Sequence, residues 1–155
     1  MREANGSHGE DTGMGAMLTD EDFRLLAAFR LSLRRFQFFS EQASRTLGLT
    51  AQQYQALLAI ESRSDDHPFT VKTLAQLLMI KHNSAVELID RIAERGLVER
   101  TRSAVDRRRV TIELTQEGRR VLRRLASMHR RELSRVAPEF TRYFRRFARS
   151  AAGST

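Results

Sequence analysis

The chain contains no cysteine. That removes disulfides, thiolate metal sites, iron–sulfur ligation, cysteine nucleophiles and peroxide sensing through a thiol. No apolar run approaches the roughly 20 residues that a membrane-spanning helix requires. The stretch from Met1 to Met17 lacks the apolar core of an export signal. A cytoplasmic protein without membrane contact is the expectation. The four histidines (His8, His67, His82 and His129) are far apart and never fall at i, i+4, so no metal and no cofactor are expected. There is no glycine-rich phosphate loop and no histidine beside a credible nucleophile, which argues against an enzyme. Proline occurs only twice, at Pro68 in a polar loop and at Pro138.

What is present is positive charge in one place. The formal net charge is +8, and the segment from Arg95 to Arg131 holds twelve arginines against four acids, which is the whole excess. Concentrated cations are the footprint of a nucleic-acid binder, because each neutralised phosphate releases counterions. Solvated arginine-rich helix faces carry similar charge, so this feature alone does not decide. With 155 residues the chain fits one domain.

The patterning is mostly helical. Residues 1–18 are polar, glycine-containing and aperiodic, and are read as a disordered arm. Thr19 caps a helix in which Leu26, Phe29, Leu33, Phe36, Ser40, Ala43 and Leu47 recur at steps of three and four, ended by Gly48. A second row (Leu25, Ala28, Leu31, Phe38, Phe39) widens its apolar face beyond what one neighbour needs. Thr50 caps a helix with Tyr54, Leu57, Leu58 and Ile60, and Thr70 a short one with Leu74, Ala75, Leu77 and Leu78. After a break at Ile80–Lys81, a fourth helix from about Asn83 to Arg95 buries Ala85, Leu88, Ile89 and Ile92 and stops at Gly96. Leu97–Arg102 and Arg109–Leu114 are short strands flanking a mostly polar tip. Thr115 begins a helix faced by Leu122, Leu125, His129, Leu133 and Val136, and Pro138 is read as opening a last helix with Phe140, Phe144 and Phe147. Glu61, Asp65, Asp66 and His67 read as a polar surface loop rather than a metal site.

Two helices across a tight turn, followed by a β-hairpin, is the order of a winged helix-turn-helix. The fold class expected is mainly α with a small β-hairpin wing, dimerising through the N- and C-terminal helices. The domain spans residues 19–155, with the winged helix-turn-helix at 50–115 and dimerisation helices at 19–47 and 116–152. The buried stripe of the fourth helix leaves His82, Asn83, Ser84, Val86 and Glu87 facing outward. Asn83 and Ser84 can hydrogen-bond base edges, Val86 can touch a thymine methyl, and His82 suits a base or a phosphate. Arg91 is expected to pair with Glu87 or Asp90. Phe36, Phe38 and Phe39 are read as packing residues before effector-pocket residues.

The stretches Thr70–Ala75, Asn83–Arg91 and Arg95–Val98, with Asp106, Arg108, Leu114, Thr115 and Gly118 matching Asp-x-Arg followed by Leu-Thr-x-x-Gly, resemble the multiple antibiotic resistance regulator (MarR) family. The resemblance implies a homodimeric, sequence-specific regulator of a pseudo-palindromic double-stranded DNA operator, mostly a repressor released by a small-molecule effector. It also implies that Arg108 enters the minor groove, that Asp106 braces the wing, and that Arg107 falls to a phosphate. Glu87 departs from the basic or neutral residue of many relatives. The alternative reading is an architectural protein that binds DNA without sequence choice.

Overall fold

The computed structural model describes residues 18–63, 68–102 and 110–152, with side chains to 149. The order is α1 (Asp20–Arg45), α2 (Ala51–Glu61), α3 (Val71–Leu78), α4 (His82–Glu94), β1 (Val98–Arg102), β2 (Val110–Leu114) and α5 (Gln116–Ala152). The polar arm and the loop at 64–67 lie outside the described residues, apart from Leu18.

Threonine starts the first three helices for the same reason each time. Its hydroxyl accepts from the third backbone N–H of the helix: Asp22 at 3.3 Å for Thr19, Gln53 at 3.1 Å for Thr50 and Thr73 at 3.2 Å for Thr70. In the first two cases the side chain of Asp22 or Gln53 also accepts from the threonine N–H, closing a capping box. Leu57, Ile60, Leu74, Ala85, Ile89, Ile92, Ile112, Leu114 and Leu125 are buried together, so α2 to β2 and the start of α5 share one core. The antiparallel hairpin pairs Val98 with Leu114 and Arg102 with Val110. On its other edge, the Ile112 N–H donates to the Phe69 carbonyl at 2.9 Å.

The helices α1 and α5 form a separate stem. Phe29 sits among Phe140, Tyr143, Phe144 and Phe147, each ring edge-on at 5.8–5.9 Å; such pairs add about 0.5–1.5 kcal/mol each beyond burial. Beside them, the Glu139 carboxylate accepts from the Ser32 hydroxyl at 2.6 Å and the Tyr143 hydroxyl at 2.7 Å. These two donors hold the Glu139 carboxyl below the usual carboxylate range.

Two expectations need correction. Pro138 does not open a helix; it lies inside α5, which is continuous from Gln116 to Ala152. An interior proline deletes one helical hydrogen bond and costs about 3 kcal/mol. Docking on α1 on both sides of it, through His129 and Val136 before and Glu139, Tyr143 and the phenylalanines after, outweighs that loss. The α1 stripe is also shifted. Leu25, Ser32, Ser40, Ala43 and Ser44 are buried, whereas Leu26, Leu31 and Phe38 are exposed. Within one chain α5 covers one face only, and two overlapping apolar rows do not announce which face that is.

The junction between stem and core rests on Gly118. Thr115 donates its backbone N–H to the Leu97 carbonyl at 3.1 Å and its hydroxyl to the Gly96 carbonyl at 2.7 Å, while accepting from the Gly118 N–H at 3.0 Å. This cap draws the first turn of α5 so close that a Cβ on Gly118 would overlap the Leu97 carbonyl oxygen and stand 2.9 Å from its carbon. Two outcomes follow. Alanine usually improves a helix interior by about 1 kcal/mol over glycine, but overpacking here costs about 1–3 kcal/mol or more, so Gly118→Ala lowers the denaturant midpoint; an unchanged or raised midpoint contradicts the packing. Because the Glu139 carboxylate is depressed in the folded state, its stabilisation is present above the unfolded value near about 4.3 and fades as pH falls through the folded value. The stability gap between wild type and Tyr143→Phe is therefore largest at neutral pH and narrows in acid; a gap independent of pH between 7 and 3 refutes the assignment.

Candidate nucleic-acid interface

The turn between α3 and α4 is tight because its backbone reverses through a left-handed residue. Met79 has φ 53° and ψ 43°, its N–H donating to the Gln76 carbonyl at 3.2 Å and the next, Ile80, to Ala75 at 3.0 Å. This is the Schellman closure that usually takes glycine. The break expected at Ile80–Lys81 is thus one residue longer at its start.

From this turn α4 leaves with a strict division of faces. Ala85, Leu88, Ile89 and Ile92 are buried, none more than 6% exposed. His82, Asn83, Ser84 and Glu87 are exposed, and Val86 is half-buried. Unlike its predecessors, α4 has no side-chain cap: Lys81 occupies the cap position, and the first hydrogen bond along the helix runs from the Ala85 N–H to the Lys81 carbonyl at 3.0 Å. The N–H groups of the first turn, the positive end of the helix dipole and three small polar side chains therefore face solvent together. Among the described residues no hydrogen bond ties the side chains of His82, Asn83 or Ser84. Glu87 pairs with Arg91 at 3.8 Å, both 69% exposed, a contact of little energy at that exposure. Of the two partners foreseen for Arg91, Glu87 is the one found.

Asp90 has a different partner. Its carboxylate meets Arg100 of β1 at 2.6 Å, bolting the outer face of α4 to the root of the hairpin. Arg63 and Glu113 make a similar tie at 3.4 Å between the end of α2 and β2. Strand alternation puts Ile112 and Leu114 into the core. The tip that carries Asp106, Arg107 and Arg108 lies outside the described residues. Arg102, at the last described step of β1, is exposed, and among the described residues no ion pair engages it.

Sequence reasoning passed over Arg95 and Arg100. Both are arginines in an arginine-rich stretch, and nothing in spacing separates a tethering arginine from a solvated one. Arg119 and Arg120 pair with Glu61 at 3.6 Å and with Glu117 respectively. Glu61 is thus engaged. Among the described residues no group of three acids or histidines is placed to hold a metal, and no helix is long and apolar enough to cross a membrane.

Comparison with known proteins places this geometry. The chain is 26% identical over 128 residues to YsmB of Bacillus subtilis, an HTH-type transcriptional regulator, covering 80% of this chain and 86% of that one. Its fold is that of AbsC, a MarR family transcriptional regulator from Streptomyces coelicolor, with a TM-score of 0.67 at 22% identity over 90% of this chain and 99% of that one. It is equally that of a mutant of MepR from S. aureus bound to an oligodeoxyribonucleotide, with a TM-score of 0.63 at 18% identity over 84% and 97% of the two chains. MepR has also been seen bound to ethidium bromide, with a TM-score of 0.59 at 17% identity over 84% of this chain and 96% of that one. Residues 47–109, from the turn after α1 through α2, α3, α4 and β1, match the model of the MarR family.

Proposed function

We propose that this protein is a homodimeric, sequence-specific repressor that reads a pseudo-palindromic operator and releases it when a small molecule binds. The observation that carries the reading is α4 itself: a helix with its apolar stripe wholly buried and its uncapped, polar N-terminal turn presented to solvent. In this reading His82, Asn83, Ser84, Val86 and Glu87 enter the major groove, Arg107 meets a phosphate, Arg108 enters the minor groove and Asp106 braces the wing. Residues 50–115 are the reading lobe, 19–47 and 116–152 the dimerisation helices, and 1–18 an arm.

Support for the dimer comes from the stem. Phe23, Leu31, Phe38, Leu133 and Phe144 are all at least 49% exposed, and apolar side chains gathered on two packed helices are what a symmetric partner would cover. Support for an effector comes from a cleft of about 480 Å³ between α1 and α2, lined by Phe36, Gln37, Ser40, Glu41, Ala51, Gln52 and Gln55. Phe36 belongs to this cleft, Phe39 packs against His129 with ring centroids 5.5 Å apart, and Phe38 faces out. An aromatic wall beside the exposed Glu41 carboxylate suits an aromatic or amphipathic ligand; MepR with ethidium is a relative of that kind. Without cysteine, release by thiol oxidation is closed to this chain.

The reading is tested on an operator selected from random duplexes. A regulator binds it about 10³-fold or more tighter than unrelated DNA; a ratio near one returns the architectural alternative. Arg108→Ala weakens operator binding by about 1–3 kcal/mol and flattens the salt dependence, with folding and assembly intact; unchanged affinity and slope remove Arg108 from the interface. Sedimentation at micromolar concentration gives a dimer, and Phe38→Glu with Phe144→Glu shifts it toward monomer; a wild-type monomer ends the dimeric reading.

A further inference from the structure

Where the reading helix stops, both stem helices are attached to it. Arg95, the residue that closes α4, turns its guanidinium onto the end of α1, donating to the Leu47 carbonyl at 3.1 Å and to the Gly48 carbonyl. The next two residues, Gly96 and Leu97, hold the cap of α5 through Thr115. The two acceptors, the Leu47 and Gly48 carbonyls, lie in the turn that follows the 26-residue α1, beside the negative end of its dipole. A forked guanidinium that engages both sets rotation as well as distance, which a lysine ammonium cannot do. The receiving turn is shaped for it. Gly48 has φ +68°, and a Cβ there would stand 3.1 and 3.3 Å from the two terminal nitrogens of Arg95.

The fold does not need this contact. Arg95 is exposed, and α4 is held independently by Ala85, Leu88, Ile89 and Ile92 in the core and by Asp90 on Arg100. α1 packs on α5 and α2, and the Arg95 guanidinium joins the turn at its end to the end of α4.

We propose that Arg95 is a positioning residue for operator reading: its fork on Leu47 and Gly48 sets the angle between each reading helix and the stem, and hence the separation at which two reading helices engage one operator. The inference rests on the dimeric reading above. A residue of this kind leaves each half-site contact intact and acts only on engaging both at once, where misplaced geometry forfeits the gain of the second site.

The test compares the selected operator, a duplex with a single half-site, and operators whose half-sites are moved apart or together by one or two base pairs, using full-length wild type, Arg95→Gln and Arg95→Lys. In Arg95→Gln the half-site affinity stays within about twofold, while the advantage of full over half-site falls about tenfold and the spacing optimum broadens. Arg95→Lys, which keeps the charge without the fork, follows Arg95→Gln rather than wild type, and stands in for it should the glutamine variant fail to fold. An unchanged full-to-half ratio and spacing profile in both variants overturns the inference alone. So does an equal loss on half and full sites that tracks a lower melting temperature, the mark of a merely structural role. Wild-type protein that binds half and full sites alike overturns the dimeric reading, and this inference with it.

Discussion

The close approach of α5 to the Leu97 carbonyl is the constraint on which the relation of stem to reading lobe depends. Gly118 permits it, and the Thr115 cap enforces it through the Gly96 and Leu97 carbonyls. The three residues Arg95, Gly96 and Leu97 follow directly on α4, so the same short turn ends the reading helix, starts the hairpin and receives both stem helices. Protein interiors are close-packed and do not deform smoothly. The end of α4 is therefore fixed to both stem helices, while its middle is buried at Ile89 and Ile92.

This arrangement also divides the arginines. The excess charge between Arg95 and Arg131 looked like a single footprint, yet much of it is engaged at home: Arg95 on α1, Arg100 on Asp90, Arg119 on Glu61, Arg120 on Glu117. Among the described residues, Arg102, Arg123, Arg124, Arg130 and Arg131 have no such partner. Net charge measures a field over the whole surface; which arginines are free to meet phosphate is a question of neighbours. Of these five, Arg102 lies at the end of β1 and the other four on α5.

The elements were legible where a local rule decides them. Thr19, Thr50, Thr70 and Thr115 cap helices, and Gly48 and Gly96 end them. Asn83, Ser84 and Glu87 were legible as outward residues because the stripe of α4 is narrow and single. Legibility failed where two long-range interactions compete. Pro138 carries a strong local signal to start a helix, and only the docking of α5 on α1 keeps the helix running through it. Ser32 belongs to neither apolar row of α1; it is buried because Glu139 and Tyr143, more than a hundred positions away, bring it partners. Arg95 is of the same kind, since its role is defined by two carbonyls 47 and 48 positions earlier.

The stem and the lobe meet a second time at His129, and the character of that contact completes the mechanical picture. Its imidazole lies flat on Tyr54 of α2, with centroids 4.1 Å apart and planes at 22°. One ring nitrogen faces the Leu125 carbonyl at 2.8 Å and the other the Ser40 hydroxyl of α1 at 2.9 Å. The carbonyl can only accept, so Nδ1 carries a proton and donates to it. One side chain of α5 thus touches α1 by a hydrogen bond and α2 by a stacked face, and burial pushes the Tyr54 phenol up. The contact at His129 joins α1, α2 and α5, while Arg95 and Thr115 join the end of α4 to α1 and α5. Ser40 also lines the cleft beside Phe36, so the hydrogen bond that joins α5 to α1 borders that cleft.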